Sequence, residues 1–267
     1  MKRLLPILSM VVLWPLAASW AQLAPPNEMG VRMGHVHVIA RDVEAEKKIW
    51  VGLGGTPIQI DGTDVIQFPP GLFVFITRGA PAKHEGNVIN HVTFFHKPGS
   101  GALQRLKAQG VRVVIDAPEE PDDGNVLSTE NLRIDNNQGE NQDEPVMAGI
   151  IRLDLPSAFQ REAQAWYGKI FGFRPRGAGV AIPGLARGLD FSVKSGSPHA
   201  PQPSKGYTLD HIGFEVANLE AFCAKLEGMG ITFEYPYNRT RHKGFASAEL
   251  TDPWGASIEL TEGLNRF

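Results

Sequence analysis

Cysteine is all but missing. The only one in 267 residues is Cys223, so no disulfide can form within the chain, which excludes a small cross-linked extracellular scaffold. A surplus of charge is missing too. Lys and Arg number 26 against 29 Asp and Glu, a formal net charge of −3. No basic field invites nucleic acid, and no basic amphipathic stretch suits a membrane surface. Long apolar runs are absent with one exception. Met1-Lys2-Arg3 leads into an apolar stretch from Leu4 to about Ala18, roughly 15 residues against the roughly 20 that span a bilayer. Ser19-Trp20-Ala21 then sets small residues at both key positions of a cleavage site. This order predicts a secretory signal peptide over 1–21 and a mature chain starting at Gln22. Export without disulfides points to a bacterial periplasm, with no membrane partner once the signal is removed. Residues 22–30, with Pro25-Pro26, read as a tether.

What the chain does contain is a repeat. Segments opening at Gly34, Asn90 and Asp210 each place a histidine at the head of an apolar strand and a glycine 19 positions later: His35 and Gly54, His91 and Gly110, His211 and Gly230. A fourth copy, AGIIRLDLPSAFQREAQAWYGKIFG from Ala148, carries Gly149 where the others have histidine and a longer helical region. In the last copy His211, Gly213 and Glu215 alternate with Ile212, Phe214 and Val216, as on a strand with one packed face. Asn218 suits a helix N-cap. Leu219, Phe222, Cys223 and Leu226 follow at helical spacing, and Gly228 or Gly230 ends the helix. Residues 231–235, 245–250 and 256–261 read as three more strands, the last two joined by the turn signal Asp252-Pro253-Trp254-Gly255. The expectation is α+β: four βαβββ modules paired into two half-barrel halves, an N-terminal half over 31–136 and a C-terminal half over 147–263. The polar stretch 137–146 is the expected linker.

The pattern resembles the vicinal-oxygen-chelate superfamily, also called the glyoxalase/bleomycin-resistance/extradiol-dioxygenase family. The resemblance covers nearly the whole mature chain. It is most specific in LDHIGFEVANLEAFCAKLEGMGITF, in LTDPWGASIELTEGL and in AQAWYGKIFGFRPR. It implies paired modules that curl their sheets around a metal ion or ligand, with ligands from the first and last strands of the modules. The last module keeps both positions, His211 and Glu259. In the third, Gly149 cannot ligate, while Asp190 in Leu189-Asp190-Phe191 parallels Ile258-Glu259-Leu260. Imidazole with carboxylate suits a divalent ion that keeps open coordination positions. The alternative is that these residues merely line a cleft. His211, Glu259 and Asp190 do not make the two-histidine, one-carboxylate set of the extradiol dioxygenases.

In the N-terminal half, His35 and His37 share one strand face, His91 opens the second module, and the register after Gly71 puts Phe75 at the glutamate position. That half either has a site of its own or serves as a structural partner. His242, ahead of the Asp252–Gly255 turn, is a candidate general acid or base, since imidazole titrates near neutral pH. The bland alternative is a solvated residue of the basic loop 238–243. In the ring-cleaving enzymes a tyrosine follows this histidine; here Glu249 stands in its place, preceded by Ala248. Tyr235, Tyr237 and Trp254 are candidate walls for a small-molecule substrate. Two functional classes follow. One is a metal-dependent lyase, isomerase or dioxygenase acting on a small oxygenated substrate; the other is a metal-free protein that sequesters a small molecule.

Overall fold

A computed structural model describes residues 23–82, 85–116, 122–139, 142–192 and 201–267. The expected signal peptide and its cleavage site lie outside the described residues. Four modules follow one another. The first is β1 (Val31–Ala40), α1 (Val43–Gly52), β2 (Thr56–Ile60), β3 (Thr63–Phe68) and β4 (Leu72–Arg78). The second is β5 (Ile89–His96), α2 (Ala102–Ala108), β6 (Arg112–Ile115), β7 (Gly124–Leu127) and β8 (Arg133–Gln138). The third is β9 (Val146–Leu153), α3 (Gln160–Phe171), β10 (Arg174–Arg176), β11 (Gly179–Ala181) and β12 (Gly188–Phe191). The fourth is β13 (Leu209–Val216), α4 (Leu219–Gly228), β14 (Tyr235–Asn238), β15 (Ala246–Thr251) and β16 (Ser257–Glu262). Each is a βαβββ unit, and the fold is α+β.

The modules combine differently from the tandem halves expected at 31–136 and 147–263. One sheet runs β14-β15-β16-β13-β1-β4-β3-β2 and the other β10-β11-β12-β9-β5-β8-β7-β6. The first module therefore shares a sheet with the fourth, and the second with the third. The cause is long-range pairing: β1 lies antiparallel to β13, and β5 to β9. Local periodicity specifies each module but carries no information on which strand it meets.

Alternation gives each sheet two unlike faces. Val36, Val38, Val92, Phe94, Ile151, Leu153, Ile212 and Phe214 point to one shared core, joined there by Trp50, Tyr167, Phe171 and Leu226 of the helices. Phe94 of the second module meets Phe68 and Trp50 of the first with ring centroids 4.4 and 6.1 Å apart. Two buried carboxylates tie the sheets together. Glu46 on α1 accepts hydrogen bonds from Trp50 Nε1 (2.9 Å) and from the Thr129 backbone N–H and hydroxyl. Asp252 accepts from the Tyr167 hydroxyl of α3 at 2.8 Å and from the backbone N–H groups of Trp254 and Ala256, closing its turn. Gly255 completes that turn at φ +95°, where a side chain would be strained.

Asn218 caps α4, accepting from Ala221 N, and Leu219, Phe222, Cys223 and Leu226 are its buried stripe. The segment read as a strand from 231 pairs only from Tyr235 onward; Ile231 and Phe233 pack against the core instead. On the opposite face of the first sheet a separate apolar cluster forms from Ile60, Val65, Phe73 and Phe75, covered by Leu23, Phe245 and Leu264. Among the described residues no helix is long and apolar enough to cross a membrane.

Candidate metal centre

Three adjacent strands of the first sheet, β16, β13 and β1, bring the site together. Glu259 lies opposite Gly213, and Gly213 opposite His35; one step along, His211 lies opposite His37. Cross-strand neighbours share a face, so His35, His37, His211 and Glu259 all point away from the core. Gly213 is required here, since a Cβ at that position would overlap the His35 ring. The ring lies across β13 and reaches Glu259 on the far side of it, Nε2 to Oε2 3.0 Å. His211 Nε2 is 3.5 Å from the same oxygen.

The three groups are almost wholly buried, with His35 1%, His211 8% and Glu259 8% exposed. One ligand atom from each lies within 4.8 Å of the others. His211 Nε2 and His35 Nδ1 have no hydrogen-bond partner, and His211 Nδ1 is engaged by Asp210 Oδ1 at 2.6 Å. Burial would raise the Glu259 carboxyl, but its contacts with His211, His242 and His35 prevail and hold it well below the usual carboxylate range. Burial would equally depress His211; the hydrogen bond to Asp210 and the charge of Glu259 overcome this and raise it to about 9. Burial keeps His35 below the usual histidine value, and burial together with His211 brings His37 to about 3. His37 Nε2 is paired with Thr77 Oγ1 at 2.7 Å and is not part of the cluster. Two imidazoles, each with one nitrogen lacking a hydrogen-bond partner, and one carboxylate, all buried, fit a divalent metal ion whose remaining positions stay open. His35, His211 and Glu259 are the residues that would hold it.

The loop after β14 closes over these residues. His242 stacks on Phe245 with centroids 4.2 Å apart, and its Nε2, which also lacks a hydrogen-bond partner, is 3.5 Å from Glu259 Oε1. Beside it, Glu249 is buried opposite Glu259. It pairs with Lys205, lies 3.8 Å from Arg241 and accepts a hydrogen bond from Ser257. Both cations lie over the Tyr235 ring, at 4.8 and 4.3 Å. Tyr235 therefore stands at the rim of the site. Tyr237 follows within an irregular stretch of β14; it is engaged by Arg239 and packs on the core side. Trp254 packs against Trp166 of α3 at 6.2 Å, on the helical side of the sheet and away from the cluster.

Two expectations need correction. Asp190 does not join His211 and Glu259. It sits on β12 in the other sheet, where Arg152 donates to it at 2.8 Å, because the third module pairs with the second. The donor set is also not short of a histidine: His35, from the first module, completes two histidines and one glutamate. Equal spacing from His35 and His211 to their glycines marked both as first-strand residues. What the sequence could not supply was the antiparallel pairing that brings them to one point. In the third module, Ile150 rather than Gly149 takes the first-strand position, opposite Thr93, while Gly149 falls at a register irregularity. Phe75 stands where the first module would carry its carboxylate, opposite His37.

Comparison with known proteins agrees with this architecture. Residues 150–260, which run from β9 into β16, match the Glyoxalase/Bleomycin resistance protein/Dioxygenase superfamily. No curated protein matches the sequence. Among solved structures, glyoxalase I from Zea mays is similar at 14% identity and a TM-score of 0.66, over 88% of this chain and 94% of that one. A candidate dioxygenase from Bacillus subtilis is similar at 16% identity and a TM-score of 0.62, over 91% and 86%. The cppA protein from Streptococcus pneumoniae is similar at 13% identity and a TM-score of 0.50, over 90% and 98%. At such identities the structures speak for the fold alone. By sequence, the stretch spanning the third and fourth modules matches the glyoxalase/bleomycin-resistance/dioxygenase superfamily, and the described residues share the fold of the solved structures above.

Proposed function

We propose that this protein is a divalent-metal-dependent enzyme acting on a small oxygenated substrate. The observation that carries the reading is the convergence of His35, His211 and Glu259, three buried donors from two modules with a ring nitrogen on each histidine left without a hydrogen-bond partner. A bound ion would supply Lewis-acid polarisation of substrate oxygens. The chain's own groups supply the rest. Three protein donors leave room for two substrate oxygens, and Phe75 and Phe245 exclude water from one wall. His242 Nε2 faces the cluster from the loop and is placed to take or give a proton there. Arg241 and Lys205 at the rim favour a substrate with negative charge. Glu249 occupies the place of the tyrosine that ring-cleaving relatives use, and its carboxylate is held by Lys205. This favours proton-transfer chemistry of the lyase or isomerase kind over ring cleavage.

The test is metal analysis by mass spectrometry on protein purified without a histidine-rich tag. One divalent ion per chain in the parent, lost in His211→Ala and Glu259→Gln with unchanged circular dichroism, supports the proposal. A parent that binds no metal yet retains affinity for a small molecule would replace it with the sequestering reading. The proposal includes export to the periplasm, supported by the order of residues 1–21. N-terminal sequencing of the secreted protein should begin at Gln22, and a chain that keeps Leu4 would contradict export by cleavage.

A further inference from the structure

The residue before each first-strand histidine differs among the modules, and the difference falls on the metal centre. β13 carries a register irregularity between its pairs with His37 and Val38: His211 and Leu209 have partners, and Asp210 is passed over. A bulge of this kind re-aims a side chain. Asp210 turns toward its neighbour, and its Oδ1 meets His211 Nδ1 at 2.6 Å. Its other oxygen accepts the Gly206 backbone N–H at 2.6 Å, so the carboxylate is fixed from both ends. The second module repeats the geometry without the charge. β5 passes over Asn90 in its pairing with β9, and Asn90 Oδ1 meets His91 Nδ1 at 2.6 Å. The Asn90 amide in turn donates to Asp154 at 2.8 Å. In the first module Gly34 precedes His35 and can make no such contact.

We infer that Asp210 is a positioning residue for the metal centre: it accepts a hydrogen bond from Nδ1 of His211 and so holds the ring with Nε2 turned toward Glu259. This rests on the reading of His35, His211 and Glu259 as ligands. A carboxylate acceptor at Nδ1 fixes the ring and makes the opposite nitrogen a stronger donor; an amide fixes the ring only. The charge count agrees. Glu259 is the one carboxylate among the three donors, and Asp210 adds a second negative charge directly behind His211. In the other sheet, where the acids are met by Arg133 and Arg152, an amide suffices.

The experiment uses the mature chain and its Asp210→Asn, Asp210→Ala and Asn90→Asp variants. Zinc affinity is measured by competition with a chromophoric chelator. The Nδ1 proton of His211 is followed by nuclear magnetic resonance in the zinc-free protein. Asp210→Asn should keep the Nδ1 proton and weaken zinc binding about tenfold. Asp210→Ala should lose the hydrogen-bonded proton resonance and weaken binding up to about a hundredfold. Asn90→Asp should leave affinity unchanged. Asp210 variants that bind zinc within twofold of the parent, or a proton resonance that survives in Asp210→Ala, would overturn the inference. If Asp210→Ala fails to fold, Asp210→Asn decides by affinity. A parent that binds no zinc would overturn the ligand reading instead, and the proton resonance would still judge the role of Asp210.

Discussion

The outer faces of the two sheets are the same backbone arrangement given opposite chemistry. In the first sheet the four equivalent positions are His35, His211, Glu259 and Phe75; in the second they are Ile150, His91, Asp135 and Asp190. Gly213 corresponds to Thr93, and His37 to Arg152. His91 still meets a carboxylate, Asp135, at 3.2 Å. The second sheet brings its own cations: Arg133 pairs with Asp135, and Arg152 with Asp190. In the first sheet the acid is met by the imidazoles of His35 and His211 instead of guanidinium groups. One face neutralises its acids with guanidinium groups, and the other is arranged for an ion from outside. What distinguishes the candidate metal face from its counterpart is therefore a few side chains at fixed positions, not the strands that carry them.

The largest expected effect comes from making the first face resemble the second. His35→Ile installs the residue found at the equivalent position, Ile150. It should abolish stoichiometric metal while leaving the unfolding transition cooperative, as measured by elemental analysis and urea titration. Retention of one ion per chain would show that His35 is not a ligand.

A second prediction separates the join between the sheets from the metal face. Burial raises Asp252 to about 6, against its several hydrogen bonds. A carboxyl raised on folding adds stability that is fully present below its unfolded value near 4 and is lost as pH rises through about 6. Asp252→Asn removes this dependence. Its stability relative to the parent should improve by up to about 3 kcal/mol between pH 4 and pH 7, with metal content unchanged. A difference in urea unfolding that stays flat across this window would contradict the assignment.

Gly213→Ala should displace the His35 ring and weaken metal binding on the order of tenfold or more, the size of effect expected when the groups that orient a ligand are disturbed. The reciprocal change, Thr93→Gly, should do nothing to affinity. Equal effects of the two on chelator competition would dissolve the distinction between the faces. The smallest effect is expected for Asp190→Asn, which breaks a half-exposed ion pair with Arg152. The cost should be under about 1 kcal/mol in urea unfolding, and metal content should not move. Loss of metal would restore Asp190 as a ligand.

Much of each module is legible in the sequence because its causes are local. Alternation at His211–Val216, the cap at Asn218, the stripe Leu219–Leu226 and the turn at Asp252–Gly255 all act over a few residues. The parity of His211 and of Glu259 within their strands is legible for the same reason. The pairing of β1 with β13 is not, because it joins residues such as His35 and Gly213 that are distant in the chain. That pairing brings His35 to Glu259, and the matching pairing of β5 with β9 keeps Asp190 in the other sheet with Arg152. The one-residue difference between Gly149 and Ile150 has a smaller cause, a bulge, which shifts register without altering the apolar pattern.

The central claim is that one ion is held between the first and fourth modules and none between the second and third. Anomalous diffraction from crystals grown with a divalent metal, collected on both sides of its absorption edge, tests this most directly. The account predicts a single strong peak per chain within bonding distance of His35, His211 and Glu259. A peak at His91 and Asp135 instead, or no peak at the three predicted ligands, would contradict it.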